Sequence, residues 1–365
     1  MNVLDYNSLF KDKLSKLLFL EIRNVEAFLK KISDKQVKLK NKELFIPVSM
    51  EFLAEKVKQN QELKDIPLYE FIEGMFYAIG ADEKFSYNED YKSILDSISN
   101  SKEAIKGIVA SKVKQGNYND SYVLLRGLCR SYGEEEIFEK LLVVGSTIRE
   151  NNRDFKNLHL EDIENYKKVY PKSALPYMYE ALTLKDEGEY SKVLMSLNEY
   201  IRLGGERSTE IEQLFLEVSD IVAYEKGKEE IDVNPLEAIK KLLPLLDKFE
   251  DNPLIYYYIG LSYRKLDNYE KAIYYLNESL EIDSSIVETV NELGINYAAI
   301  GDFENAIMYF RKAFEATKDV EICTNLVMCY YNIGKMDDAK IHLDIANKLE
   351  PNDEIVKQLN KIIGG

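Results

Sequence analysis

The sequence predicts an all-α fold: a helical-hairpin repeat solenoid, preceded by a small, mainly helical N-terminal domain with a possible β-hairpin near residues 37–48. Three observations carry this reading. A pattern of small and large residues returns at intervals of 34 and then 33 residues toward the C-terminus, as stacked supersecondary units do. Inside each interval, apolar residues recur every three or four positions in two separate runs, the signature of two amphipathic helices. Between the runs stand short turns containing Gly, Asp or Asn.

Along the chain, residues 1–100 show no copy of the repeat. Asp5 to Ile32 reads as one or two amphipathic helices, with Leu14, Leu17, Leu18, Ile22, Val25, Phe28 and Leu29 on one side. The period then changes. Val37-Lys38-Leu39-Lys40 and Leu44-Phe45-Ile46-Pro47-Val48 flank Asn41-Lys42, a short hairpin signal, and Pro47 marks an edge strand. Helices are expected again from Met50 to Gln59 and from Pro67 to Ile79, before the polar stretch Ala81 to Asp90.

The repeat is clearest over residues 253–352. Gly260, Tyr263, Asn268-Tyr269 and Ala272 are matched 34 residues on by Gly294, Tyr297, Asp302-Phe303 and Ala306. Gly301, Ala306, Phe310 and Ala313 recur 33 residues on as Gly334, Ala339, Leu343 and Ala346, and Pro351 closes that copy. Small residues let paired helices approach closely, and Tyr263, Tyr297, Tyr330 and Phe310 fill the remaining space. Gly301 and Gly334 suit the left-handed conformation that ends a helix. Residues 101–252 keep the rhythm in divergent form, with hairpins near 102–135, 140–172, 171–200 and 219–250. Residues 353–365 read as a capping helix, with Ile355, Val356, Leu359 and Ile362 on its apolar side.

This arrangement resembles the tetratricopeptide repeat. The family pattern has Leu-Gly at positions 7 and 8, Tyr at 11, Ala at 20, an aromatic at 24 and Ala at 27. This chain places Ile259-Gly260, Tyr263, Ala272 and Leu276 in the first copy, then Leu293-Gly294, Tyr297, Ala306, Phe310 and Ala313 in the second. Leu326-Val327, Tyr330, Ala339, Leu343 and Ala346 make the third. The resemblance implies a superhelix whose first helices line a concave groove through positions 2, 5, 9, 12 and 13. Carried over, these are Leu254, Tyr257, Leu261, Arg264 and Lys265; Glu288, Asn291, Ile295, Ala298 and Ala299; and Glu321, Thr324, Met328, Tyr331 and Asn332.

What the resemblance implies for function is a non-catalytic scaffold or adaptor that binds a protein or peptide. Tyr257, Leu261, Arg264, Asn291, Ile295, Met328 and Tyr331 are the expected groove contacts: apolar anchors supply affinity, and an amide such as Asn291 holds backbone groups. The runner-up is a peptide-sensing signalling regulator whose array controls the N-terminal domain. Members that clamp acidic C-terminal tails use Lys and Asn at fixed groove positions, whereas Tyr257 and Thr324 stand there in this chain, so such tails are not the expected ligand.

Composition bounds the rest. With 365 residues and 45% hydrophobic content the chain can bury a real core. Its formal charge of -16 repels phosphate backbones, so no nucleic-acid partner is expected. Residues 1–64 carry 13 basic and 9 acidic groups, and the remainder 35 and 55, so the excess of acid lies beyond the N-terminal part. No uncharged apolar stretch approaches the roughly 20 residues that cross a bilayer, and no leader cleavage signal is read at the start. A cytoplasmic protein without membrane insertion is expected.

Catalytic and metal chemistry find little support. His159 and His342 have no second His or Cys three or four residues away, so no metal or other cofactor is expected. Cys323 and Cys329 lie six apart on one expected helix and read as packed thiols. There is no phosphate-cradling glycine loop and no nucleophile elbow. Glu134-Glu135-Glu136 reads as a helix start, favoured by the positive end of the helix dipole.

Overall fold

The computed structural model describes residues 5–33, 35–49, 52–53 and 66–363. They form an all-α protein with one two-stranded sheet among the described residues. Contacts divide the chain into two compact units, Met1–Ile211 and Glu212–Gly365.

Unit 1 begins with α1 (Tyr6–Ser15), started by the Asp5 carboxylate accepting from the Asn7 amide at 3.1 Å. Strand β1 (Leu18–Glu21), α2 (Val25–Ile32) and strand β2 (Phe45–Val48) follow. The strands pair antiparallel, Leu18 opposite Val48 and Glu21 opposite Phe45. Two expectations are corrected here. The apolar run Leu17 to Leu20 enters a strand rather than continuing a helix, and β2 takes as its partner residues 18–21, not 37–40. The reason is visible in the backbone donors. Asp90 accepts from the Lys40 amide at 2.6 Å and the Asn41 amide at 3.2 Å, so these groups are spent on a carboxylate instead of a ladder. The helix expected over 50–59 lies outside the described residues apart from Phe52 and Leu53.

The rest of unit 1 is helical: α3 (Leu68–Ala81), α4 (Asn88–Ser97), α5 (Ser101–Lys114), α6 (Tyr118–Tyr132), α7 (Glu135–Asn151), α8 (Lys156–Val169), α9 (Leu175–Lys185) and α10 (Tyr190–Arg202). Almost every residue of α3 from Phe71 onward is buried. It meets α6 backbone to backbone: a Cβ on Gly80 would stand 1.9 Å from the Val123 carbonyl oxygen, and one on Gly127 2.2 Å from that of Phe76. One core therefore runs from Tyr6 to Tyr166 and does not break at residue 100, where the sequence pattern changes. At its centre Arg126 is 2% exposed. Its Nε lies 3.0 Å from Asp162, its Nη1 donates to Asn7 at 3.0 Å, and the Tyr122 hydroxyl also donates to Asp162.

Unit 2 contains nearly all of α11 (Thr209–Glu230), then α12 (Pro235–Leu246), α13 (Pro253–Lys265), α14 (Tyr269–Ile282), α15 (Val287–Ala299), α16 (Phe303–Thr317), α17 (Val320–Asn332), α18 (Met336–Leu349) and α19 (Glu354–Ile363). Consecutive helices from α12 to α19 pack against one another. Small-against-large interlock holds each hairpin: a Cβ on Gly260 would stand 2.7 Å from Leu276, and one on Gly294 2.6 Å from Phe310. A second contact recurs with it. Tyr263 stacks on Tyr275 with centroids 5.5 Å apart at 8°, and Tyr297 on Tyr309 at 5.4 Å and 8°. In the third hairpin Tyr330 meets His342 at 5.1 Å. Gly301 and Gly334 end α15 and α17 at φ +81° and +74°, while Asp267 takes the same conformation at +55°. The last helix buries Val356, Leu359 and Ile363, while Ile355 and Ile362, at one edge of the same apolar face, are 48% and 56% exposed.

Candidate functional site

The first helices α13, α15 and α17 carry the residues expected to line a groove, and each touches the next. Two of the three start at a side-chain cap. Asn252 caps α13, Asp319 caps α17 through the Glu321 and Ile322 amides, and Ile286 precedes α15 without a side-chain cap. Helical spacing then puts positions 5, 9 and 12 on one side.

On α13, Tyr257, Leu261 and Arg264 are half-buried. Burial raises the Tyr257 phenol, and Glu292 and then Glu288 add to it, pushing it up to about 12. The tyrosine's edge rests against Tyr258, with centroids 5.3 Å apart. On α15, Asn291 and Ile295 are half-buried, and the Asn291 Oδ1 is sealed from solvent without a hydrogen-bond partner. On α17, Met328 and Tyr331 are each 40% exposed.

The structure adds a residue that the repeat pattern did not single out. Glu292, only 9% exposed, receives Arg264 from the neighbouring hairpin, with Nε 2.7 Å from Oε2 and Nη2 donating to Oε1 at 3.5 Å. The closer contact is coulombic in character, because the Nε–H is not directed at Oε2 and neither atom finds another hydrogen bond. Burial raises the Glu292 carboxyl and Arg264 opposes that rise. Arg264 is thus not a free groove cation. Asn296, one turn further along α15 and fully buried, donates to the Glu292 carbonyl at 2.8 Å, and its Oδ1 has no partner. Glu292 and Asn296 flank the apolar Leu293 and Ile295 at ordinary helical positions, and nothing in the local pattern marks either as special.

Among the remaining polar groups, Thr324 is buried and donates to the Glu321 carbonyl, so it is turned back on its own helix. Lys265 binds Asp232 at 2.5 Å. Glu288 and Glu321 are exposed and make no ion pair among the described residues.

Elsewhere the groups with chemical potential are enclosed. His159 is fully buried, and desolvation, with Arg149 nearby, lowers its pKa to about 3. His342 shares a hydrogen bond with the Asp338 carbonyl at 2.9 Å. Burial pushes the Cys323 and Cys329 thiols up to about 11, which keeps them protonated. Glu134 starts α7 in an ion pair with Lys102. No group of three or more His, Cys, Asp or Glu residues is placed to hold a metal ion among the described residues. No described helix is long and apolar enough to cross a membrane.

Paired antiparallel helices stacked with a recurring small-to-large contact define a helical-repeat protein. The particular repeat is identified by a family model: residues 251–319 match the one described as tetratricopeptide repeat, and the chain is a tetratricopeptide-repeat protein over that segment. Solved structures similar to it include the MamA protein, at 16% identity over 49% of this chain and 92% of that one, with a TM-score of 0.38. The C-terminal part of a repeat-containing protein from Cytophaga hutchinsonii is 17% identical over 69% of this chain and 98% of that one, also at 0.38. A chain of the APC/C hetero-tetramer Cut9-Hcn1 is 13% identical over 84% of this chain and 66% of that one, at 0.37. None of the curated proteins matches the chain.

Proposed function

We propose that the protein is a non-catalytic, cytoplasmic scaffold that holds a polypeptide segment against α13, α15 and α17. The observation that carries this is the mixture along α13, α15 and α17: large apolar side chains left partly exposed, Met328 and Tyr331 above all, beside amide acceptors with no partner among the described residues. Apolar anchors beside unmatched hydrogen-bonding groups are what a bound segment satisfies, since its side chains fill the gaps and its backbone amides donate. In this reading Tyr257, Leu261, Ile295, Met328 and Tyr331 supply apolar contact, the partly exposed Asn291 turns its amide to the partner's backbone, and Arg264 positions Glu292.

Selection of peptides from a displayed random library on the full chain tests this. Binders are then measured against a variant carrying Tyr257→Ala, Asn291→Ala and Met328→Ala, with Met308→Ala on the opposite helix α16 as a control. The expected result is a loss of about tenfold or more in the groove variant and none in the control, with unchanged helicity. Equal affinity for wild type and groove variant overturns the proposal.

A further inference from the structure

We infer that this face, granted that it binds a polypeptide at all, selects a segment in which a basic side chain sits among apolar ones. The charge inventory is the first ground. Glu288, Glu292 and Glu321 stand along α15 and α17, and the nearby cations are already committed, Arg264 to Glu292 and Lys265 to Asp232. An acidic segment would bring carboxylates beside Glu288 and Glu321 and meet no free cation. A basic one meets two unpaired carboxylates and a third, Glu292, for which its guanidinium competes with Arg264.

The second ground is independent of net charge. The orphaned amide atoms on α15, Oδ1 of Asn291 and Oδ1 of Asn296, are both acceptors, and Asn296 is fully buried. Of the two only the Asn291 side chain is partly exposed; a carboxylate partner is acceptor-only and leaves its oxygen unmatched, whereas an arginine carries five N–H donors in a fixed fork. Tyr257 supplies the third element. Its ring is half-buried on α13 and keeps part of a π face open, and such a face attracts a cation. The negative charge of the whole chain steers such a segment in.

The test uses the full chain and a set of fluorescent peptides of about 12 residues that differ only in the charged position: alternating Leu with Arg, with Gln or with Glu. Anisotropy at low salt is expected to rank Arg about tenfold tighter than Gln, with Glu weakest, and the Arg advantage shrinks as salt is raised. Glu288→Gln with Glu321→Gln should weaken the Arg peptide about fivefold and leave the Gln peptide unchanged, while Glu304→Gln with Glu315→Gln on α16 should change neither. If the Gln or Glu peptide binds as tightly as the Arg peptide, yet still loses affinity in Tyr257→Ala, the basic preference is wrong and the groove stands. If the Arg peptide binds but is indifferent to Tyr257→Ala and Asn291→Ala, or weakens equally with the α16 pair, attraction is to the acidic surface at large and both readings fall. No binding by any of the three overturns both as well.

Discussion

The packed pair of α3 and α6 and the hairpin of α15 and α16 are both close-packed helix pairs, yet they are held by different means. In unit 2 the contact between helices is a glycine facing the end of a side chain, Gly260 on Leu276 and Gly294 on Phe310, and it returns at the same repeat position. In unit 1 the close approach is between backbones, Gly80 and Gly127 against the carbonyls of Val123 and Phe76, and the core around it is fastened by a buried charge network. The difference teaches that a repeat is a solution that can be copied. A side chain can yield by a rotamer change from one copy to the next, whereas a backbone carbonyl fixes a single partner.

Breaking the charge network should have the largest effect. Arg126→Met leaves Asp162 buried and unpaired, for an expected loss of about 4 kcal/mol. Adding Asp162→Leu should recover most of it, as read by urea unfolding. Recovery failing in the double variant would mean that Tyr122 and Asn7, not the ion pair, dominate there.

The two glycine contacts give a direct contrast. Gly80→Ala, which meets backbone, should cost about 3 kcal/mol, and Gly260→Ala, which meets the flexible end of Leu276, about 1 kcal/mol. Equal costs in denaturant titrations would erase the distinction between the units.

Acid should separate them further. The His159 pKa is about 3 in the folded chain against 6.5 for an ordinary imidazole, so between those limits the unfolded state binds a proton that the native state does not. Stability then falls as pH drops through that window, by about 1.4 kcal/mol per pH unit, and is unaffected by this group above it. His159→Gln should remove this contribution from the slope of unfolding free energy against pH; an unchanged slope would show that the ring is not what acid attacks.

An effect as small as that of Gly260→Ala is expected at a repeat turn. Gly334→Ala places a Cβ at φ +74° in open space, for a cost of about 1 kcal/mol from backbone strain alone. A loss comparable to that of Gly80→Ala would mean that the turn packs against something.

The same contrast explains what was legible from residues. Repeat position alone located the helix pairs from Pro253 to Leu349, because the interlock demands small residues at fixed intervals. It did not reveal Tyr275 and Tyr309, whose partners Tyr263 and Tyr297 were recognised only as bulky. Nor did it reveal Glu292: its helical position is ordinary, and only the arrival of Arg264 from the neighbouring hairpin gives it a role. Strand β1 escaped because Leu17 to Leu20 fits a helix and a strand equally well over four residues. The carboxylate of Asp90, which draws off Lys40 and Asn41, lies about 50 residues away in sequence, beyond the reach of any local pattern.

The recurring tyrosine stacks carry an optical consequence. The chain has 26 tyrosines and no tryptophan, so its near-ultraviolet circular dichroism comes chiefly from phenol rings. Coplanar pairs at 8° in two successive hairpins give chromophores held in a fixed mutual orientation, while the third hairpin pairs its tyrosine with an imidazole. Replacing Tyr275 by Leu silences one pair and leaves the other, and replacing Tyr309 does the reverse. The order in which adjacent hairpins melt can therefore be followed through side chains the protein already has, with no label attached.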